Sequence, residues 1–289
     1  MKIVNQLKTT NKMKKFLIFL SVLFISISAS AYDFEKCSLS GGAELNANYL
    51  FRGKVLGGLN LQPWVEFSSY GLTLGAWGST GEYHEIDNAH PFTNYWSDWN
   101  NELDLYLSYT VPGEYVTFKV THFYYFDNKA FFNYSYKYNE DDMPTSQTEV
   151  MLEIKPSSEY PFILSTNVQV GGGDCWTADG VSFWNNDSTV ANKLWSTYIS
   201  LRYELEVGDW YIEPEIGFSP CRSYYTHSDR NWAINNVSCK VNYNFFSNDY
   251  VNLYALAHVH FNFFDTGIAG CKFEAYKNFG WNVGFGIDL

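Results

Sequence analysis

Phe279 to Leu289 reads FGWNVGFGIDL, and it alternates without a break. Phe279, Trp281, Val283, Phe285, Ile287 and Leu289 are apolar, whereas Gly280, Asn282, Gly284, Gly286 and Asp288 between them are polar or glycine. Successive side chains on a strand point to opposite faces, so one face of this segment is bulky and oily and the other small and wet. That pattern suits a strand lying between lipid and water. Its length matches the roughly 9–11 residues a tilted strand needs to cross a bilayer, which predicts the closing strand of a membrane barrel.

The amino-terminal end points the same way. Lys2, Lys8, Lys12, Lys14 and Lys15 precede the apolar run 16–27, and Ala29-Ser30-Ala31 supplies small residues for processing. A signal peptide over 1–31 is therefore expected, cut near Ala31, leaving one domain over 32–289. The charged residue Lys36 before Cys37 argues against lipoprotein processing. Removing five lysines and no acid from a chain of formal charge −12 leaves −17. Such a polyanion is a poor partner for nucleic acid. Aromatic residues make up 19% of the chain, and the abundant Tyr and Trp suit the girdles that flank a barrel's apolar band.

Period-two stretches predict about twelve strands, near 39–52, 59–69, 72–80, 102–111, 115–126, 147–156, 161–171, 194–207, 210–221, 231–246, 249–263 and 277–289. The connections alternate in length. Ser69-Tyr70-Gly71, Pro112-Gly113-Glu114, 157–160, Gly208-Asp209 and Ser247-Asn248 are tight, whereas 53–58, 81–101, 127–146, 172–193, 222–230 and 264–276 are longer. This sorting predicts an all-β, transmembrane, antiparallel up-and-down barrel with short periplasmic turns and longer extracellular loops.

Ionisable residues collect on one face. Glu44, Asn46, Asn48 and Arg52 alternate with Ala43, Leu45, Ala47, Tyr49 and Phe51. Glu102, Asp104 and Tyr106 alternate with Leu103, Leu105 and Leu107. Arg or Lys facing lipid at mid-depth costs about 2–4 kcal/mol, so the charged face is expected to look into a hydrated lumen. Glu44, Glu66, Glu102, Asp104, Glu149, Glu153, Glu204, Glu206, Glu213 and Glu215 outnumber Arg52, Lys119, Lys155, Arg202 and Lys240 on that face. An acidic wall favours cations.

The elements Asn48-Tyr49-Leu50-Phe51-Arg52-Gly53, Pro63, Gly71 to Ser79 (GLTLGAWGS) and Glu102-Leu103-Asp104 resemble the TorF family of porins. That family shows a Y-x-F-R-G element on the first strand, W-G-S on the third and E-x-D on the fourth. The resemblance covers roughly 40–110 and the terminal strand. It implies an outer-membrane barrel in a Gram-negative cell envelope and carries no substrate with it. Leu289 departs from the terminal Phe usual in such barrels.

The expected activity is passive diffusion of small hydrophilic solutes, cation-preferring, with Arg52, Glu102, Asp104, Arg202 and Glu204 as lumen or constriction candidates. The same charges equally suit an interior ion-pair network that holds strands in register. The expected partners are outer-membrane lipids, the solutes, and the barrel assembly machinery acting on strand Phe279 to Leu289. The alternative is a non-transporting surface barrel. Its aromatic loops 83–99 and 172–187, with Trp96, Trp99, Trp176 and Trp184, would hold a ligand, and Asp174, Asp179 and Asp187 would suit calcium. A barrel hydrolase is the minority reading, and no cofactor and no catalytic centre are expected. Ser200, Ser238 and His122 form no recognisable nucleophile constellation, and His258 with His260 lacks an evident third ligand, so no metal is assigned. Of Cys37, Cys175, Cys221, Cys239 and Cys271, a staple through Cys175 and Cys221 or Cys221 and Cys271 is conceivable beside free thiols. A charge replacing Asn282 is expected to be tolerated, unlike one replacing Val283.

Overall fold

A computed structural model describes residues 37–82, 99–125, 131, 146–156, 161–172, 175–176, 192–193, 195–221, 223, 225, 232–263 and 279–289. The strands are β1 (Cys37–Asn46), β2 (Tyr49–Phe51), β3 (Lys54–Gly57), β4 (Asn60–Ser69), β5 (Leu72–Glu82), β6 (Trp99–Thr110), β7 (Val116–Tyr125), β8 (Ser146–Ile154), β9 (Phe162–Gly172), β10 (Cys175–Trp176), β11 (Asn192–Lys193), β12 (Thr197–Tyr203), β13 (Leu205–Val207), β14 (Trp210–Ser219), β15 (Ala233–Ser247), β16 (Asn252–Phe261) and β17 (Phe279–Asp288). Among the described residues there is no helix.

Every sequential neighbour along the wall pairs antiparallel, and β17 closes on β1 through Gly42 opposite Asp288 to Asn46 opposite Gly284. β12 and β13 are one wall strand, interrupted at Glu204, and both pair with β14 in a single register. The interruption lies beside Pro214, which has no N–H to give to the ladder. The wall therefore has twelve strands in up-and-down order, and closure leaves no free edge. Connections at 70–71, 111–115, 155–161, 208–209 and 248–251 are short, and those at the other end are long. The alternation read from the sequence is the alternation of the fold.

The faces also follow the pleat. On β17, Phe279, Trp281, Val283 and Phe285 are 46–64% exposed on the outer wall, whereas Asn282 is 7% exposed inside. Leu103, Leu105, Leu107 and Tyr109 point outward from β6, and Val259 and Phe261 from β16. The buried residues are largely polar: Asn46, Gln62, Glu102, Glu149, Ser165, Asn167, Gln169, Ser200, Asn236 and His260 line the interior. This inversion of a soluble core follows from putting water or polar groups inside and an apolar solvent outside.

One expectation is corrected. The first strand does not run over 39–52: it ends at Asn46, and Tyr49 to Gly57 form a separate hairpin of β2 and β3. Tyr49 is consequently buried rather than on the outer wall. Of the two readings of the cysteines, free thiols hold for Cys37, Cys221 and Cys239, so no staple runs through Cys221. Asn282 lines the interior as expected from its face, and there its amide donates to Asn46 Oδ1 at 2.7 Å while its Oδ1 accepts the Asn48 N–H at 3.0 Å. Residues 1–31, expected to be a leader, the loop residues Trp96 and Trp184, the side chains of Trp99 and Trp176, and Asp174, Asp179 and Asp187 lie outside the described residues.

Candidate functional site: a hairpin anchored in the lumen

The β2–β3 hairpin turns at Arg52 and Gly53, with φ of 47° and 81°. Gly53 suits this position twice. It accepts the left-handed conformation without cost, and a Cβ there would collide with the Asn235 carbonyl. Arg52 has no such freedom and is held in place by its side chain.

Arg52 Nη1 and Nη2 donate to the two carboxylate oxygens of Glu149 on β8, at 2.6 and 2.7 Å. This is the fork-on-carboxylate geometry that only a planar guanidinium provides. Nη1 also donates to the Tyr225 hydroxyl at 2.5 Å. The Arg52 Cζ lies 4.7 Å from the centroid of Phe51, 4.9 Å from Tyr198 and 5.5 Å from Tyr225. The pair is largely shielded from solvent, with side chains 14% and 5% exposed. Burial and the neighbouring Arg52 push the Lys54 ammonium well below the ordinary lysine range, and its Nζ lies 5.1 Å from the Tyr225 ring centroid. Burial pushes the Tyr225 hydroxyl up to about 12.

Other contacts tie the hairpin across the barrel. The Tyr49 hydroxyl donates to Glu102 on β6 at 3.0 Å, and its ring packs 5.7 Å from Trp77 on β5. Asn262, just after β16, donates to the Gly53 carbonyl at 3.4 Å. Thus one short hairpin touches inward groups of β5, β6, β8, β12 and β17 and fills part of the lumen. Its attachments are hydrogen bonds, an ion pair and ring contacts.

Toward the short-turn end, charged side chains are only partly buried. Arg202 pairs with Glu153 at 2.6 Å and approaches Glu213 at 3.8 Å and Glu204 at 3.9 Å. Lys240 pairs with Glu44 at 3.2 Å, and Lys119 Nζ sits 3.8 Å from the Tyr106 ring centroid. The His258 and His260 rings stand 6.4 Å apart, and both ring nitrogens of His260 are buried without a hydrogen-bond partner among the described residues.

Of the residues singled out from the sequence, Arg202 and Glu204 share this vestibule, and Glu102 and Asp104 share an inward face of β6. Arg52 reaches neither of those acids, because the chain leaves the wall before it. Glu149 was legible as an inward acid, but its role as the Arg52 partner was not. The missed residues are Tyr198, Tyr225 and Lys54. The signal for the hairpin was Phe51-Arg52-Gly53-Lys54 itself, where a glycine after Arg52 marks a two-residue turn.

A closed antiparallel barrel, apolar outside and polar with paired charges inside, is the architecture of outer-membrane β-barrels. Solved structures similar to it include an outer-membrane channel from Pseudomonas putida F1, at 10% identity over 88% of this chain and 94% of that one, with a TM-score of 0.42. An active-site variant of outer membrane phospholipase A from Escherichia coli is similar at 11% identity over 90% and 93%, with a TM-score of 0.38. The Escherichia coli capsule-assembly protein Wzi, a carbohydrate-binding barrel, is similar at 9% identity over 80% and 51%, with a TM-score of 0.29. Identities this low attach none of those proteins' activities to this chain. No family model matches the sequence, and no curated protein matches it, so the TorF resemblance rests on its quoted residues alone.

Proposed function

We propose that the chain is an outer-membrane channel of porin type, passing small hydrophilic solutes with a preference for cations, and that the β2–β3 hairpin sets its constriction. The observation that carries this reading is the inward face. Glu44, Glu66, Glu102, Asp104, Glu149, Glu153, Glu213 and Glu215 look into a barrel whose opposite face is apolar. Acid walls of this kind concentrate cations and exclude anions. The reading assigns the chain no catalytic role. It places the protein in the outer membrane of a bacterial cell after loss of a leader near Ala31, inserted by the assembly machinery through β17.

Planar-bilayer recording of the refolded barrel tests it. The expected result is small, cation-selective current steps that grow when Arg52 is replaced by Ala. Silence in both wild type and Arg52→Ala overturns it, as does anion selectivity. The packed hairpin favours one other reading, a non-transporting surface barrel plugged by its own chain, and silence in both proteins would support that.

A further inference from the structure

The surroundings of Arg52 form a binding site complete in every part, with the ligand supplied by the chain. Glu149 offers two oxygens to a planar fork and is itself steadied by Gln169, whose amide donates to Oε2 at 3.3 Å. The Tyr225 hydroxyl accepts a further hydrogen bond from the guanidinium. Tyr198 and Tyr225 present ring faces to the cation, their centroids 5.5 Å apart. The Tyr198 ring is held there from behind: its hydroxyl donates to Glu215 at 2.5 Å and accepts from Asn236 at 3.2 Å. A carboxylate between fixed aromatic faces binds a delocalised cation more tightly than a hydrated sodium ion. An ammonium group is a point donor and cannot span both carboxylate oxygens as a fork does.

The occupant sits on a hairpin fastened by polar contacts, inside a wall rich in acids. Water and solute ions compete for such contacts, whereas they do not compete for apolar packing. We propose that Glu149, Tyr198 and Tyr225 form a guanidinium-binding site that Arg52 fills in cis, and that guanidinium-bearing solutes are the ligand class it takes when the hairpin withdraws. The inference rests on the channel reading for the ligand's route, but the site itself stands independently of conduction.

Thermal unfolding in detergent provides a test that needs no current. Arg52→Ala empties the site, and millimolar methylguanidinium is expected to raise the melting temperature of this variant by roughly 2–4 °C. Sodium at equal concentration is expected to leave it unchanged, and Arg52→Ala combined with Glu149→Gln is expected to show no methylguanidinium effect. Absence of a shift in Arg52→Ala, or an equal shift in the double variant, overturns the proposal. If Arg52→Ala does not refold, Arg52→Gln takes its place with the same two outcomes. Stabilisation without current would retain the site and remove the channel reading; current without stabilisation would do the reverse.

Discussion

The Tyr254 ring of β16 lies over Gly286 of β17 and its hydroxyl reaches Glu44 of β1 at 2.9 Å, so one side chain ties three consecutive strands at the seam where the barrel closes. Tyr106 of β6 does the same over Gly75 of β5, donating to Glu66 of β4 at 2.7 Å. The missing side chain on the middle strand is what allows the ring to lie down. A Cβ at Gly286 would occupy the space of the Tyr254 ring. Gly286→Ala is therefore expected to destabilise the barrel by about 1–3 kcal/mol through overpacking. Tyr254→Phe, which loses only the hydroxyl bond, is expected to cost about 0.5–1.5 kcal/mol. Urea unfolding of the two variants in lipid vesicles checks the order, and a larger loss for Tyr254→Phe would contradict it.

The Arg52–Glu149 pair is expected to show strong coupling. Removing one partner leaves a shielded charge without its counterpart, so Arg52→Ala or Glu149→Ala alone is expected to cost about 3–5 kcal/mol. Part of that loss is recovered in the double variant, because the remaining charge is gone too. A double-mutant cycle in denaturant measures this, and simple additivity would show that the pair does not hold the hairpin.

The outer wall and the hairpin's root respond differently to charge. Val283→Arg faces the apolar side and is expected to lose about 2–4 kcal/mol near mid-depth. Asn282→Arg breaks the bonds to Asn46 and to the Asn48 N–H, so it is expected to loosen the hairpin and raise conductance while the barrel still assembles. Gel mobility of heated and unheated protein reads assembly, and single-channel recording reads the hairpin. Equal assembly of both variants would count against the assigned faces.

Lys54 gives the hairpin a pH dependence. Its pKa in the folded protein lies below the unfolded value of 10.5, so between the two values the unfolded chain binds a proton that the folded chain does not. Stability therefore rises with pH through that window, until deprotonation of Tyr in the unfolded state near 10 begins to work against it, since Tyr225 keeps its proton up to about 12 when folded. Lys54→Met is expected to flatten the rise on the alkaline side of neutrality. Unfolding midpoints of wild type and variant from neutral pH to about 10 check this, and parallel curves would refute it.

Much of the architecture was present in the order of residues, because lipid and water impose opposite demands on adjacent positions of a strand. Phe279 to Leu289 alone specifies an oily face and a wet one. The turn residues at 69–71, 112–114 and 208–209 set the short end. Period-two reasoning fails where a chain turns inside the barrel, since an inward hairpin alternates as a wall strand does. That is why Tyr49, Phe51 and Arg52 read as the end of the first strand. The partner of Arg52 lies 97 positions away on β8, and the aromatic faces around it come from 198 and 225.

The sequence by itself determined a closed wall with an apolar outside and an acidic inside, since that information is local and repeats every two residues. Only the tertiary structure decided what fills the lumen. Closing twelve strands into a cylinder brings inward side chains from distant strands within hydrogen-bond reach of one hairpin, and those distances exist only once the barrel has formed.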